Sequence, residues 1–423
     1  MSAPTRQPGR PLSRVALFFR RLANAGGAER TMFEEAMEFR RRGIDAPILT
    51  FSLDRAALFD PPYAVQVTQL GSGIPRGRLG AAIAEIRNVW LLRRALRRLQ
   101  PDIVLASSGI DCIPLLFATL GLPVPYAAHI HGTIFWFDAS YVTSLLRYAS
   151  IHRRVYAAIR GSVIGHREFV PSRQLRLGVR RRLAVEVVAR VLAAAIRRAR
   201  PLFTLTRHMA WEVRQLYGRA AIPIKGGVSR DLFTYVARGD MKRRLGLEGR
   251  RVILNVNRLD PRKRVDLAIR AFHRLSQSYP DVQLVIGGTG PEEGHLKAIA
   301  RELGLDGRVR FVGYIREDEL WDYLAMCDVF VHPNWAEFAI SPYEALALQR
   351  KVVWSSEMEM DEDLRANRHV FIADPTVEDF ALAMDRALRA DVRTVDDLSK
   401  YTWGAYTEQV LSALTDAVRD GRR

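Results

Sequence analysis

Glu337 and Glu344 stand seven residues apart in VHPNWAEFAISPYEALAL, between a strand-like apolar run and a helix-like one. Ser341 is placed to cap that helix, Pro342 suits its first position, and Glu344 follows the cap by three residues. A helix N-terminus offers free backbone N–H groups to an anion, and carboxylates beside it accept hydroxyl protons. Phosphate and hydroxyl recognition at one place is the chemistry of a nucleotide sugar.

Arg258 and Lys263 lie five residues apart in NVNRLDPRKRVDL, after a strand-like run and before a helix. Two fixed cations there can hold a diphosphate and neutralise charge as it departs. Cations at a helix start oppose the helix dipole, which argues for a purpose beyond solvation. The segment LVIGGTGPEEGHL places Gly288 in a turn between strand and helix, and NAGGAERTM does the same with Gly26 and Gly27. Small residues let backbone amides approach a ligand. His129 and His131 in YAAHIHGT project to one face of a strand. His131, beside Gly132, is the one leaving the sheet. An HxH pair is half of a metal site, but no further ligands cluster nearby in sequence, so no metal is expected.

The elements that must carry these residues alternate in type. Strands are expected at Val15–Phe19, Pro47–Phe51, Ile103–Ala106, Val124–Ile130 and Leu202–Thr206, with helices at Glu29–Arg42 and Leu79–Leu99 among them. The second half repeats the plan, with strands at Val252–Asn257, Gln283–Gly287, Val309–Gly313, Val329–His332 and Val352–Ser355. Its helices are expected at Val265–Gln277, Glu292–Leu303, Asp318–Met326 and Pro342–Gln349. Short apolar strands between helices indicate parallel sheets covered on both faces. The fold class is therefore α/β with two doubly wound Rossmann-like domains and ligands in the cleft between them. The expected domains are 1–222, with a basic helical insert at 141–200, and 223–403. A last helix at 404–423 would cross back to the first.

In order along the chain, GGAER, the HG step, RLDPRK, GGTGPEE, VRFVGYI and EFAISPYEALAL resemble the family-four retaining glycosyltransferases of GT-B architecture. The resemblance covers nearly the whole chain. It implies a C-terminal domain that holds a nucleotide-sugar donor and an N-terminal domain that presents the acceptor. By motif, Arg258 and Lys263 would bind the donor diphosphate, and Glu344 the ribose hydroxyls. Backbone near Ile340 and Ser341 would touch the phosphates, and Tyr314 and Ile315 would lie near the base. Glu337 and His131 would contact the donor sugar from opposite domains, and Gly26–Gly27 would face the diphosphate and acceptor. Transfer with retention at the anomeric carbon, without a metal or other cofactor, is implied.

This chain departs from the family at three places. The family spaces its glutamates eight apart, which here falls on Ala336. EMEMDEDL replaces a Gly-containing turn, bringing five acids to the nucleotide side and an Asp361-x-Asp363 pattern. Asn257 stands for a glycine and Lys225 for an asparagine.

Charge is distributed unevenly. Met1–Ile222 carries 34 Arg, no Lys and 14 acids, whereas the rest is near neutral with 30 basic and 32 acidic residues. Arg147–Arg200 alone holds 14 Arg against two Glu, interleaved with Leu, Val and Ile. With the WLLRRALRRL stretch, this reads as amphipathic helices suited to an anionic membrane surface, hence a peripheral protein at the inner face of the membrane with a lipid-linked or other glycan acceptor. A nucleic-acid binder would share the basic charge, but no recognised nucleic-acid module accompanies it. A scaffold that has lost catalysis is the other alternative. The longest apolar stretch, Leu183–Ile196, is interrupted by Glu186 and Arg190, so no transmembrane span is expected. The polar leader lacks a signal-peptide core. Cys112 and Cys327 are too few and too distant for a disulfide framework, which suits a reducing, cytoplasmic setting.

Overall fold

Four- to six-residue runs of Val, Ile, Leu and Phe become fully buried strands because helices shield both faces of each sheet. The computed structural model describes residues 12–23, 25–59, 63–71, 78–132, 146, 148–152, 177–334, 338–392 and 397–420. The chain divides into two units: 1–58, 62–225 and 406–423 form the first, and 59–61 with 226–405 the second.

The first unit holds a seven-stranded parallel sheet. Its spatial order is Val67–Gln69, Ile48–Thr50, Val15–Phe18, Ile103–Ala106, Tyr126–Ile130, Leu202–Thr204 and Ile222–Pro223. The second holds a six-stranded parallel sheet ordered Val309–Gly313, Val282–Gly287, Arg251–Val256, Val329–His332, Lys351–Ser355 and Val370–Ala373. Both follow the order 3-2-1-4-5-6, extended by one strand in the first unit. This order creates a crevice where the winding reverses, beyond the carboxyl ends of strands one and four. The two doubly wound sheets are those expected from the sequence. Val67–Gln69, Ile222–Pro223 and Val370–Ala373 escaped the pattern: they are short outer strands, less completely buried than the central ones.

Alternation within one strand builds two cores in the second unit. Ile253, Leu284, Ile286, Val329 and Val331 face the helices Val265–Ser276 and Val377–Arg389. Val252, Leu254, Val285, Phe330 and Trp354 face Glu317–Met326 and Ser341–Ala347. Val265, Ala268, Ile269 and Phe272 are buried at the i, i+3, i+4, i+7 spacing of a one-sided helix. In the first unit, the helix Gly27–Arg41 buries Met32, Phe33, Ala36 and Phe39, together with Glu35 and Glu38. The basic stretch after 176 forms the helix Val179–Arg198, which buries Val185, Ala189, Leu192 and Ile196. The C-terminal helix Trp403–Asp420 buries Tyr406, Val410, Leu414 and Val418 at four-residue steps. Among the described residues no helix is long and apolar enough to cross a membrane.

Candidate functional site

In the second unit the reversal lies between Arg251–Val256 and Val329–His332, and the candidate residues gather on the loops that follow these strands. Arg258 is exposed at the first loop, and Lys263, half-buried, ends the short 3-10 turn Pro261–Lys263. The Lys263 N–H donates to Asp260 O at 2.9 Å, closing that turn. Arg264 begins the next helix with a left-handed φ of 46° and ion-pairs with Glu357. One acid of the EMEMDEDL segment is thereby neutralised. Asp361 and Asp363 accept from the Tyr401 hydroxyl, and Lys400 Nζ lies 2.7 Å from Asp363. The Asp361-x-Asp363 pattern thus serves a helix start and its neighbours, and no metal-competent His/Cys/Asp/Glu group occurs among the described residues.

Gly288 is dictated by a close approach. A side chain there would put Cβ 1.8 Å from Asn257 O, and φ is +117°. Its N–H donates to Gly313 O at 2.6 Å, while Leu259 N–H donates to Thr289 O at 2.9 Å. The GGTG turn therefore grips the backbone of the Arg258 loop. Ile315 is core, pressed on Gly287, so only its backbone can meet a ligand; Tyr314 is exposed beside it.

The helix after the third loop corrects one expectation. Ser341 is its first residue rather than its cap; Ile340 holds the cap position, and its aliphatic side chain makes no capping hydrogen bond. The αR backbone at Ile340 carries the helical turn one residue further upstream than the capping box would. Ile340 packs on the Gly227 backbone. Glu344 is buried in the first turn, so its carboxylate is held rather than swung by solvent. Glu337 lies outside the described residues.

Behind this loop cluster is a polar network that the sequence did not reveal. Asn255 Nδ2 donates to Val331 O at 2.8 Å, and Asn257 Nδ2 to Asn255 Oδ1 at 3.3 Å. Asn334, fully buried, packs 3.3 Å from the Asn257 carboxamide. Oriented to satisfy both ends, Asn334 accepts from Lys263 Nζ at 3.1 Å and His332 Nε2 at 2.9 Å, and donates to Lys263 O at 3.3 Å. Burial, and then the Lys263 charge, hold the His332 pKa well below the usual imidazole range. Asn257 standing in place of a glycine was the single sequence signal pointing here.

In the first unit, Gly26 is the N-cap of Gly27–Arg41, and the Glu29 carboxylate lies over it, 2.7 Å from where a side chain's Cβ would sit. Gly27 is open: among the described residues nothing comes within 4 Å of where a Cβ would sit. His131 follows the strand Tyr126–Ile130, stacked on His129 with ring centroids 5.2 Å apart. Burial, reinforced by His129, pushes the His131 pKa well below its ordinary value, so the ring is neutral at physiological pH. His129 is a core residue: it pairs with Glu35 at 2.7 Å and stacks near Tyr406. The first unit thus presents a neutral imidazole and an N-terminal helix turn already carrying a carboxylate. The second presents two cations, a buried carboxylate and a helix N-terminus.

Residues 25–229 match the family described as Glycosyltransferase Family 4, and residues 238–403 match Glycosyl transferases group 1. The chain is similar to mannosylfructose-phosphate synthase of Agrobacterium fabrum, 28% identical over 191 residues, covering 41% of this chain and 42% of that protein. It is similar to the GDP-mannose-dependent alpha-(1-6)-phosphatidylinositol monomannoside mannosyltransferase of Mycolicibacterium smegmatis, 41% identical over 97 residues, covering 23% of this chain and 25% of that one. The chain therefore spans less than half the length of these relatives. In fold it resembles Anabaena HepE solved with UDP and glucose, with TM-score 0.63, 18% identity and coverage of 96% and 97%. Sucrose-phosphate synthase of Thermosynechococcus elongatus is alike, with TM-score 0.63, 16% identity and 97% of each chain covered. The two family matches, in tandem over two 3-2-1-4-5-6 sheets of GT-B type, make this chain a member of the group 1, family 4 glycosyltransferases.

Proposed function

We propose that this protein transfers a sugar from a UDP- or GDP-sugar to a glycan or lipid-linked acceptor, retaining the anomeric configuration and using no metal. The observation that carries the reading is in the second unit, where Arg258 and Lys263 follow one of the two strands at the strand-order reversal and Glu344 is buried in the first turn of the helix that follows the other. Arg258 and Lys263 hold the diphosphate and balance the charge that builds as the anomeric carbon–phosphate oxygen bond breaks. Glu344 accepts from ribose hydroxyls, while Ile340 and Ser341 present backbone N–H groups to phosphate. The acceptor oxygen bonds to the anomeric carbon, and its proton leaves with the nucleoside diphosphate. Glu337 and neutral His131 serve the donor sugar. Glu29 over Gly26 makes that turn better suited to acceptor hydroxyls than to a second phosphate.

The lipid-linked acceptor is favoured by the outer surface of the first unit. The helix Arg78–Leu99 exposes Ile83, Ile86 and Trp90, and the helix Val179–Arg198 exposes Val179, Leu183 and Val187. Both stripes are one-sided at helical spacing and flanked by arginines, and Arg94 lies over the Trp90 ring at 5.6 Å. Apolar insertion with Arg on anionic headgroups fits that pattern and a place at the inner membrane face.

Thermal-shift measurements with UDP, GDP, ADP and their sugars test the donor site. Stabilisation by one nucleotide, lost in Glu344→Ala and Arg258→Ala, is expected. Absence of any stabilisation of the wild type would sink the reading. Binding without transfer across donor and acceptor panels would instead identify a catalytically silent scaffold.

A further inference from the structure

Lys263 is a long, flexible cation, and fixing such a side chain sacrifices rotamer entropy. Here its position is anchored from behind. Asn334 is fully buried immediately beyond the strand Val329–His332, with its oxygen 3.1 Å from Lys263 Nζ and its nitrogen 3.3 Å from Lys263 O. The contact therefore reads both ends of the lysine. Beside it, Asn255 accepts from Asn257 Nδ2 at 3.3 Å and donates to Val331 O at 2.8 Å, so side-chain amides also tie together the two strands at the reversal.

We infer that Asn334 is a positioning residue that holds the Lys263 ammonium at the strand-order reversal, ready for the diphosphate of a nucleotide ligand. The inference rests on the nucleotide-sugar reading for its ligand, though not for the anchor itself. An amide suits this task because it fixes an ammonium without cancelling its charge. A carboxylate would bind more tightly and leave less charge for the ligand. His332 completes the arrangement as a neutral donor from Nε2 to the same Asn334 oxygen at 2.9 Å. Its burial keeps a second positive charge away from Lys263. Asn257 and Asn255 add only neutral groups.

Calorimetric titration of UDP, GDP, uridine, guanosine and pyrophosphate into wild type, Asn334→Ala, Asn334→Asp, Lys263→Ala and the Asn334→Ala/Lys263→Ala pair tests this. Asn334→Ala should weaken the bound nucleoside diphosphate about tenfold and leave the nucleoside unchanged. In the Lys263→Ala background it should add less than about twofold, as coupled residues do. Asn334→Asp, nearly isosteric and able to keep the packing, should also weaken the diphosphate. Equal losses for nucleoside and diphosphate, additive losses in the double variant, or no loss at all would overturn the inference. A second measurement needs no nucleotide: the rate at which Lys263 is acetylated by trace acetic anhydride, read by mass spectrometry. That rate should change several-fold in Asn334→Ala, and an unchanged rate overturns the anchor. If wild type binds no nucleoside diphosphate while the labelling rate shifts, the nucleotide-sugar reading fails and the anchor stands.

Discussion

Glu35 Oε1 lies 2.7 Å from His129 Nε2, with both side chains closed off from solvent. The pair ties the opening helix of the first unit to the strand that delivers His131. The Tyr406 hydroxyl, 3.2 Å from His129 Nε2, closes the group from the C-terminal helix. Burial, then the Glu35 charge and its hydrogen bond, push the Tyr406 pKa well above its ordinary value, so this hydroxyl stays protonated and donates.

Removing one partner should be costly. Glu35→Ala leaves a buried imidazole without its carboxylate, and about 3 kcal/mol or more of stability should be lost. Glu35→Gln keeps a hydrogen-bonding group and should lose less than half as much. Urea denaturation measures both, and a loss under about 1 kcal/mol for Glu35→Ala would remove this pair from the fold's main supports.

Asp111 supplies a pH dependence. Burial raises its pKa to about 7, against the opposing hydrogen bonds from Ser108 Oγ and Arg20 N–H. Between the ordinary carboxylate range and about 7 the native protein holds a proton that the unfolded chain has released. Stability therefore falls as pH rises through this window, by roughly 4 kcal/mol in all, and this contribution is flat above it. Asp111→Asn should abolish the slope and gain most over wild type near pH 8. Parallel slopes for the two proteins in denaturant titrations from pH 4 to 8 would exclude Asp111 as the cause.

Gly288 and Gly27 should respond oppositely to alanine. At Gly288 the new methyl meets Asn257 O and a left-handed φ, so the Arg258 loop must move. A loss of several kcal/mol is expected, roughly 3 or more, along with weakened nucleotide binding. At Gly27 the space is open and the position is helical, so the melting temperature should hold or rise slightly. If Gly27→Ala then raises KM for the acceptor at unchanged stability, close approach of a ligand is the reason for that glycine.

The exposed stripes of the first unit should govern membrane association. Wild type should co-sediment with vesicles of anionic phospholipid at low salt and much less with neutral ones. Trp90→Glu with Leu183→Glu should lower that binding about tenfold or more without changing nucleotide-induced stabilisation. Unaltered sedimentation of the double variant would assign the basic surface to something other than lipid.

The strand and helix plan of both units was legible in the sequence because buried parallel strands must be short and apolar, and the helices covering them must be one-sided. Val265–Ser276 and Val329–His332 lie within a residue of the expected bounds for that reason. The places of Arg258 and Lys263 after the strand Arg251–Val256, and of Glu344 in the helix that follows Val329–His332, were legible too, since the strand and helix pattern sets them. The helix start at Ser341 was not, because a Ser-Pro-x-Glu run is compatible with capping or with the first turn, and backbone geometry decides between them. Nor were Asn334 and Glu35. An Asn after a strand and a Glu within a helix look like solvent-facing residues until folding brings Lys263 and His129 against them. Sequence fixes which chemistry a loop can carry. Only tertiary packing decides which neutral or charged neighbour lies behind it, since those partners are 71 and 94 positions away in the chain.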